Sequence, residues 1–583
     1  MHASPESESA RRTYFRWRFE VELLLLIAIV ASAYFFRAAE LPLRGEEPTR
    51  IQIAREMVRS GDPLVPREQG ELFLSRPPLQ NWLIAVSCQL SGDWSAAPAR
   101  LPSIIATFLT TLVVYWYSRS FLSATGSLAA AAAFATMGEM FQTGRLAETE
   151  AVFIFFVGAS LLVWHGGFVY GWSELAAWIT GYALMTLGAL TKGPQAPVYF
   201  LSSITVYLLV TRQWRRLFTR AHLAGIAVSL LIASAWLIPF YGEVGWKGIH
   251  DVWVGDSAIR FRDWKIKEVL NHLLVFPLEV FGCTMPWSPF LLLYLNRRVR
   301  GSWREIRPQI LFVSICVIPG FLSCWIPPGG VSRYFSPLYP CLVVLIGAAV
   351  DRCTQVDAPG IVAKCWNGFA YISSAVMAIA AAAVLAAPVL KSWPLASRFA
   401  EPPVVAICYA AASIGLAFLA LRARQPGDAS RVRLGVMAVG AFMTLTFVVV
   451  LIDVRIRRSE HTRESVAHLK ELLPASETLY SFGHVDSLFA YYYEKPIVPL
   501  SWTAARANRV DDADYFCFFN EGTGRPALPF DWQEIAAVSV DRNHQEPPDT
   551  VVVVGRRTVP LHPRNSASAA ASALNFARSA PSR

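Results

Sequence analysis

Long apolar runs separated by short polar segments fill the chain up to about residue 453. The first run, VELLLLIAIVASAYFF from Val21 to Phe36, is nearly long enough to cross a hydrocarbon core of about 30 Å as a helix. Helices are the only reasonable spans, because such runs are much longer than the strands of a membrane barrel. The pattern predicts about thirteen spans, centred on 22–37, 101–118, 126–142, 149–165, 173–190, 194–211, 222–241, 272–295, 309–326, 334–351, 367–390, 403–421 and 433–453. The span at 126–142, which is rich in alanine and contains Glu139, is the weakest.

The basic residues between these runs predict the orientation of the chain. The segment 1–20 carries Arg11, Arg12, Arg16 and Arg18, and further basic segments follow the sixth, eighth and twelfth runs, at 211–220, 296–307 and 421–433. With thirteen spans all four segments lie on one side, and the positive-inside rule makes that side cytoplasmic. The loops 38–100 and 242–271 and the C-terminal tail are then predicted to lie on the outer side.

The tail beyond the last apolar run has the pattern of a small folded domain. The segments TLYSF (478–482) and DTVVVVG (549–555) are typical of strands, and ESVAHLKELL (464–473) has helical periodicity. We therefore predict a transmembrane domain over 21–453, an outer α/β domain over 454–562 and a disordered low-complexity tail over 563–583.

Composition supports a membrane protein and argues against other classes. The chain is 54% hydrophobic and only 16% charged, against about 25% charged residues in a soluble domain. The net charge is +10, and clusters of basic residues lie in the predicted cytoplasmic segments. This distribution indicates a membrane protein rather than a nucleic-acid-binding protein. The nine cysteines lie mostly in or beside apolar runs and form no CxxC pair, which disfavours both structural zinc and a disulfide framework.

Charged residues collect at the outer ends of the predicted spans, where charges are costly unless they are paired or functional. The charged candidates are Glu46, Glu47, Arg50, Arg76, Glu148, Glu150, Lys192 and Arg333, and Tyr334 lies beside the last of them. Neighbouring carboxylates favour a group that accepts a proton near neutral pH, and Lys and Arg hold phosphate oxygens. Each residue alone fits an interfacial role, but the positive-inside rule gives acidic residues no side preference. Their joint placement therefore favours an enzyme that cleaves a sugar–phosphate bond outside the membrane.

Six motifs in order resemble those of a known family. They are GEEPTRIQIAREMVRSGDPLVPREQGELFLSRPPLQNW (45–82), ARLPS (99–103), GRLAETEA (144–151), LTKGP (190–194), PWSPFL (286–291) and SRYFSPLYP (332–340). Over about residues 15–500 the chain resembles the GT-C membrane glycosyltransferases, specifically the bacterial lipid A aminoarabinose transferase and the protein O-mannosyltransferases (dolichyl-phosphate-mannose-protein mannosyltransferases). The resemblance implies a GT-C fold of about thirteen helices with an outer C-terminal domain.

The resemblance also implies roles for the candidate residues. Glu46 corresponds to the leading catalytic Asp of the family, and Glu47 and Glu150 correspond to its acidic partners. Arg76 matches a lysine near the donor phosphate. Lys192, Arg333 and Tyr334 match donor-phosphate groups, and Arg50 is assigned to substrate binding with them.

The resemblance predicts that one metal site is missing. The family's zinc site uses a glutamate and a histidine, and serines stand at both corresponding positions here, Ser75 and Ser257. Serine is a poor zinc ligand. We therefore predict no metal at this position and no cofactor.

The expected function is transfer of a sugar from a polyprenyl phosphate to a lipid or protein acceptor.

 The sugar is expected to pass with inversion, on the outer face of a bacterial inner membrane, in a monomeric enzyme with a periplasmic C-terminal domain. Lipid A, another glycolipid, a protein hydroxyl and a cell-wall polymer all remain open as acceptors. One alternative is a catalytically weakened relative that binds polyprenyl phosphate, since Glu46 and Glu150 both stand in place of Asp. A lipid transporter is the other alternative, although such a protein would carry charges within its spans and an internal repeat.

Overall fold

The computed structural model describes residues 21–169, 173–255, 265–355, 360–387, 403–425, 428–457, 461–474, 476–500, 513–520, 528, 530–540 and 550–558. The described residues form two compact units. The first takes its described residues from Met1–Ala38, Ser75–Gln80 and Arg100–Asp453, and the second from Ala39–Leu74, Asn81–Ala99 and Val454–Arg583. The predicted fold class, a helical membrane protein with a small C-terminal α/β domain, is confirmed. The predicted N-terminal segment 1–20 and disordered tail 563–583 lie outside the described residues.

Helices make up most of the described chain. In chain order they are α1 (Val21–Tyr34), α2 (Glu47–Ser60), α3 (Leu79–Ser91), α4 (Ala96–Arg119), α5 (Ala124–Thr136), α6 (Gly138–Thr143), α7 (Glu150–Val169), α8 (Glu174–Lys192), α9 (Gln195–Val210), α10 (Arg220–His250), α11 (Ile266–Cys283), α12 (Arg297–Ser302), α13 (Arg307–Trp325), α14 (Ser332–Phe335), α15 (Tyr339–Thr354), α16 (Gly360–Ala386), α17 (Pro403–Arg422), α18 (Ala429–Thr446), α19 (Ile452–Arg457), α20 (His461–Leu472) and α21 (Ser487–Tyr493).

Each of the thirteen apolar segments predicted from the sequence overlaps at least one of these helices. Within the described residues, eight helices are long and apolar enough to cross a membrane. The count is nine if α11 and the helix Ser288–Leu295, which are bent by 119° at their junction, form one span. Helices α1, α5 and α9 are apolar but shorter. The multi-pass character is therefore established, and the full set of thirteen crossings stays a prediction.

Small residues let two helices of the first unit, α5 and α15, approach closely. A methyl group added at Gly347 would lie 2.6 Å from Cβ of Ala130 and 2.6 Å from the carbonyl oxygen of Gly126. At one end of this contact the Asp351 carboxylate accepts hydrogen bonds from the hydroxyl and the backbone N–H of Ser123, the residue that caps α5. In a membrane the hydrophobic effect does not drive helices together, because lipid tails are as apolar as the side chains. Helices there associate through close packing, which small residues permit.

We expect Gly347→Ala to lower the melting temperature of the protein in detergent. The added methyl group must displace backbone atoms of α5, and such overpacking costs about 1–3 kcal/mol. Gly368→Ala is the matched control, because a methyl group at this position in α16 meets nothing within 4 Å. Thermal unfolding of the two variants gives the comparison, and equal melting temperatures would contradict the packing described here.

The second unit contains α2, α3, a hairpin of β1 (Arg67–Glu68) and β2 (Glu71–Leu72), and the C-terminal α/β domain. The described part of that domain has five strands, β3 (Leu479–Phe482), β4 (Ile497–Leu500), β5 (Tyr515–Asn520), β6 (Trp532–Ser539) and β7 (Val551–Arg557). Their order in the sheet is β4-β3-β5-β7-β6. Strand β3 is parallel to β4 and β5, and β7 is antiparallel to β5 and β6.

Apolar side chains cover both faces of this sheet. Val552 and Val554 of β7 pack with Leu469 of α20 and Phe489 of α21 on one face. Val553 points to the opposite face, among the aromatic rings there. Burial on both faces explains the uninterrupted run of four valines at 551–554. The predicted strands at 478–482 and 549–555 and the predicted helix at 464–473 are confirmed, whereas β4, β5, β6 and α21 were not predicted.

Candidate functional site

The predicted acidic pair lies at the start of α2, in the second unit. Glu47 is completely buried, and its carboxylate accepts a hydrogen bond of 3.1 Å from the backbone N–H of Arg44. The side chain of Glu46 is 48% exposed, and its Oε2 lies 2.6 Å from Nη2 of Arg50, one helical turn later. Carboxylates at a helix N-terminus are stabilised by the helix dipole. The two glutamates therefore differ, because Glu47 fixes the start of the helix while Glu46 presents part of its carboxylate to solvent.

Arg50 holds Glu46 in place from within the unit. The Arg50 side chain is completely buried, and its guanidinium carbon lies 5.3 Å from the centre of the Phe73 ring. A buried guanidinium needs a negative partner, and Glu46 supplies it. The geometry favours a role for Arg50 in orienting Glu46, whereas its predicted role in binding substrate stays a prediction.

A buried ion pair joins two of the predicted residues in the first unit. Nζ of Lys192 lies 2.7 Å from Oε1 of Glu150, and less than a tenth of either side chain is exposed. Glu150 is the first residue of α7 and Lys192 is the last residue of α8. Each charge therefore lies at the helix end whose dipole stabilises it. The pair is separated by 42 residues in the sequence and forms only because α7 and α8 pack together.

Arg333 and Tyr334, in α14, lie beside this ion pair. Arg333 is exposed and interacts electrostatically with Glu150 and Glu148. The Lys192 ammonium lies 5.8 Å from the centre of the Tyr334 ring. The structure thus brings together Lys192, Arg333, Tyr334 and Glu150, which the sequence analysis named from three separate segments. An exposed arginine beside a buried lysine is a suitable arrangement for holding phosphate oxygens.

Arg76 is the remaining candidate of the first unit. It is half-buried, and its Nη1 donates a hydrogen bond of 2.9 Å to the carbonyl oxygen of Ser75. Its predicted place near the donor phosphate stays a prediction.

Two further carboxylates lie near the ion pair, and the sequence analysis did not assign them to the site. Oε1 of Glu279, in α11, accepts a hydrogen bond of 2.7 Å from the hydroxyl of Ser332, the residue before Arg333. Glu139, in α6, is buried and interacts electrostatically with Glu150, Glu279 and Arg333. Both interrupt strongly apolar runs, and an ionisable residue inside such a run is a signal of function.

The predicted absence of zinc is not tested by these observations. Among the described residues, no three side chains of His, Cys, Asp or Glu come together in a way that could hold a metal ion. Ser257, one of the two positions on which the prediction rests, lies outside the described residues. The absence of this zinc site stays a prediction.

Comparison with known proteins agrees with the predicted resemblance. Residues 75–238 match the family described as dolichyl-phosphate-mannose-protein mannosyltransferase. An undecaprenyl phosphate-alpha-4-amino-4-deoxy-L-arabinose arabinosyl transferase from Aeromonas hydrophila is 26% identical over 359 residues, which cover 60% of this chain and 64% of the relative. The enzyme of the same name from Edwardsiella ictaluri is 25% identical over 53% of this chain and 55% of the relative. The chain therefore matches less than two thirds of the length of these relatives.

A solved structure shares the fold over nearly the whole chain. The crystal structure of ArnT from Cupriavidus metallidurans bound to undecaprenyl phosphate superposes with a TM-score of 0.69 at 20% identity, over 93% of this chain and 99% of that protein. The apo structure of the same protein gives a TM-score of 0.68. The fold predicted from the motifs is thereby confirmed.

Proposed function

We propose that this chain, which has the fold of the GT-C membrane glycosyltransferases, transfers a sugar from a polyprenyl phosphate to a lipid acceptor at the outer face of a bacterial inner membrane. The observation that carries the proposal is the cluster of Lys192, Arg333, Tyr334 and Glu150, which lie on the three helices α7, α8 and α14. The relatives support the proposal, since their name describes transfer of arabinose from an undecaprenyl phosphate sugar. ArnT was also crystallised with undecaprenyl phosphate. A protein acceptor is the less favoured variant of the same proposal.

The cationic side chains account for the donor half of the reaction. The bond that breaks joins the anomeric carbon to the phosphate oxygen, and the electron pair leaves with the polyprenyl phosphate. Lys192 and Arg333 would stabilise the negative charge that collects on this leaving group. Glu150 keeps the Lys192 ammonium oriented within a buried environment at a distance of 2.7 Å.

The acceptor half of the reaction requires a base when the acceptor is a hydroxyl group. Glu46 is the proposed base, since its carboxylate is partly exposed and is oriented by Arg50. The acceptor oxygen would attack the anomeric carbon as its proton passes to Glu46, and attack opposite the leaving phosphate inverts the sugar configuration. An acceptor phosphate already carries negative charge and would need orientation more than deprotonation.

Transfer by the purified protein tests the proposal. We expect the wild type, supplied with an undecaprenyl phosphate sugar and a membrane lipid acceptor, to yield a lipid heavier by one sugar in mass spectrometry. Glycolipids and secreted glycoproteins from cells with and without the gene would identify the sugar and the acceptor class. Absence of transfer with every donor tested would favour the weakened, polyprenyl-phosphate-binding alternative.

The glutamate at position 46 allows a direct test of whether the site is adapted to its longer side chain. We expect Glu46→Asp to lower transfer by about 100-fold, because a displacement near 1 Å at a reacting group has this effect. The 2.6 Å contact with Arg50 would also be lost or lengthened. Initial rates at saturating donor give the measurement. An increase in rate would instead show that the native Glu46 weakens the enzyme.

A further inference from the structure

Among the described residues, a set of long-range polar contacts outside the proposed site lies within the second unit. It joins the first outer loop to the C-terminal domain through residues more than 400 positions apart in the sequence. Thr49, Glu68 and Gln69 belong to the loop, and Val485 and Ser487 belong to the domain. We call these five residues the loop–domain bridge.

Gln69 forms the first part of the bridge. Its side-chain amide donates a hydrogen bond of 2.7 Å to the carbonyl oxygen of Val485 and accepts one of 3.1 Å from the backbone N–H of the same residue. Gln69 and Gly70 form the tip of the β1–β2 hairpin, with φ of 54° and 80°. A positive φ is unfavourable for glutamine, and such strain persists only where surrounding contacts maintain it. The paired bonds to Val485 are contacts of this kind.

Ser487 forms the second part. Its hydroxyl accepts a hydrogen bond of 2.8 Å from the Thr49 hydroxyl and donates one to the carboxylate of Glu68, which is buried. Thr49 lies in the first turn of α2, between Glu47 and Arg50. One serine of the C-terminal domain therefore contacts both the hairpin and the turn of helix that carries the acidic pair.

Two further contacts connect α2 to the hairpin and to the C-terminal domain. The backbone N–H of Gly70, at the hairpin tip, donates a hydrogen bond of 3.4 Å to Glu56 of α2. The guanidinium carbon of Arg55 lies 5.8 Å from the centre of the Tyr491 ring in α21. Helix, hairpin and domain thus contact one another pairwise, an arrangement that restricts rotation of α2.

We propose that the loop–domain bridge fixes the first turn of α2, and that Ser487 is a positioning residue for Glu46. The structural half of this proposal stands on the contacts alone, while the consequence for catalysis rests on the proposed function. The C-terminal domain then acts on the reaction through the orientation of α2 and supplies no reacting group.

Titration of His484 gives the bridge a pH dependence. Its Nε2 lies 3.5 Å from Oε2 of Glu68, and the charged groups that face it are Glu68, Glu71 and Asp486. The hydrogen bond to Glu68 raises the pKa of His484 above its ordinary value, although partial burial opposes this. A histidine with a raised pKa stabilises the bridge fully below about pH 6.5 and loses this contribution as the pH rises through the raised pKa.

Hydrogen exchange and transfer kinetics test the proposal together. We expect Ser487→Ala to lower the protection factors of amides in the first turn of α2 by about tenfold or more, because two hydrogen bonds are removed. We expect its kcat to fall by about tenfold or more with little change in donor KM, since misplacement of a reacting group affects chemistry rather than donor binding. Gln69→Gly should also lower the protection of α2. Glycine adopts the positive φ of this position easily, but it lacks the side-chain amide that bonds to Val485.

The control variant is His468→Ala, which removes a 3.7 Å contact with Glu471 between two exposed side chains of α20, in the same domain. It should leave α2 protection and transfer unchanged.

His484→Gln should remove the pH dependence of α2 protection between about pH 6 and 8. Unchanged protection in Ser487→Ala would overturn the bridge, and lost protection with normal kcat would overturn the positioning role. Failure of the wild type to transfer any sugar would refute the proposed function, and the exchange data would still decide the bridge.

Discussion

Replacing Glu46 with glutamine is expected to lower sugar transfer to a hydroxyl acceptor by about 10²- to 10⁴-fold, the usual contribution of a positioned general base. Glutamine has nearly the same shape but does not accept a proton at neutral pH. Its carbonyl oxygen can still accept the hydrogen bond that Arg50 donates at 2.6 Å. The effect should therefore appear in kcat, with only a small decrease in melting temperature.

Two comparisons make this result specific. Glu40→Gln removes an exposed carboxylate of the same loop and should leave transfer unchanged. Glu47→Gln weakens the contact of a buried carboxylate with the Arg44 backbone and should lower stability more than Glu46→Gln does. Initial rates and thermal unfolding of the three variants give the data. A Glu46→Gln protein with wild-type transfer would show that this carboxylate is not the base.

The second large effect is expected at the buried ion pair. Lys192→Met leaves the Glu150 carboxylate buried without its 2.7 Å partner. Removing one member of a buried pair costs about 3–5 kcal/mol, so the melting temperature should fall strongly. Transfer should also be lost, because a cation proposed to hold the leaving phosphate is missing.

A double variant separates these two effects. Glu150→Gln combined with Lys192→Met removes both charges, and replacement of a buried pair by neutral groups of similar size is often nearly neutral for stability. We expect the double variant to recover most of the melting temperature while transfer stays absent. Recovery of transfer along with stability would show that the pair is purely structural and would refute the phosphate role of Lys192.

The C-terminal domain shows which local patterns are readable in the sequence. The helix at 464–473 and the strand around 551–554 were predicted, since one has clear helical periodicity and the other is a run of valines. Strand β5, YFCFFN, was not predicted: it lacks the alternation of a strand exposed on one side, as β7 does, and it also lacks the run of valines that marks β7. Its pairing partners β3 and β7 are distant in the sequence.

The sequence by itself determined the membrane class, the positions of the apolar helices and the order of the motifs. These features depend on local properties, namely the length of apolar runs and the residue types that lie between them. The same local information identified Glu46, Glu150, Lys192 and Arg333 as candidates.

Only the tertiary structure decided which of these residues act together. Packing of α7 against α8 pairs Glu150 with Lys192, and α14 brings Arg333 beside them. The contact of Thr49 with Ser487 spans 438 positions, and no local pattern records it. Side-chain pairing depends on how distant helices and loops pack, so a sequence read segment by segment names the charged residues without assigning their partners.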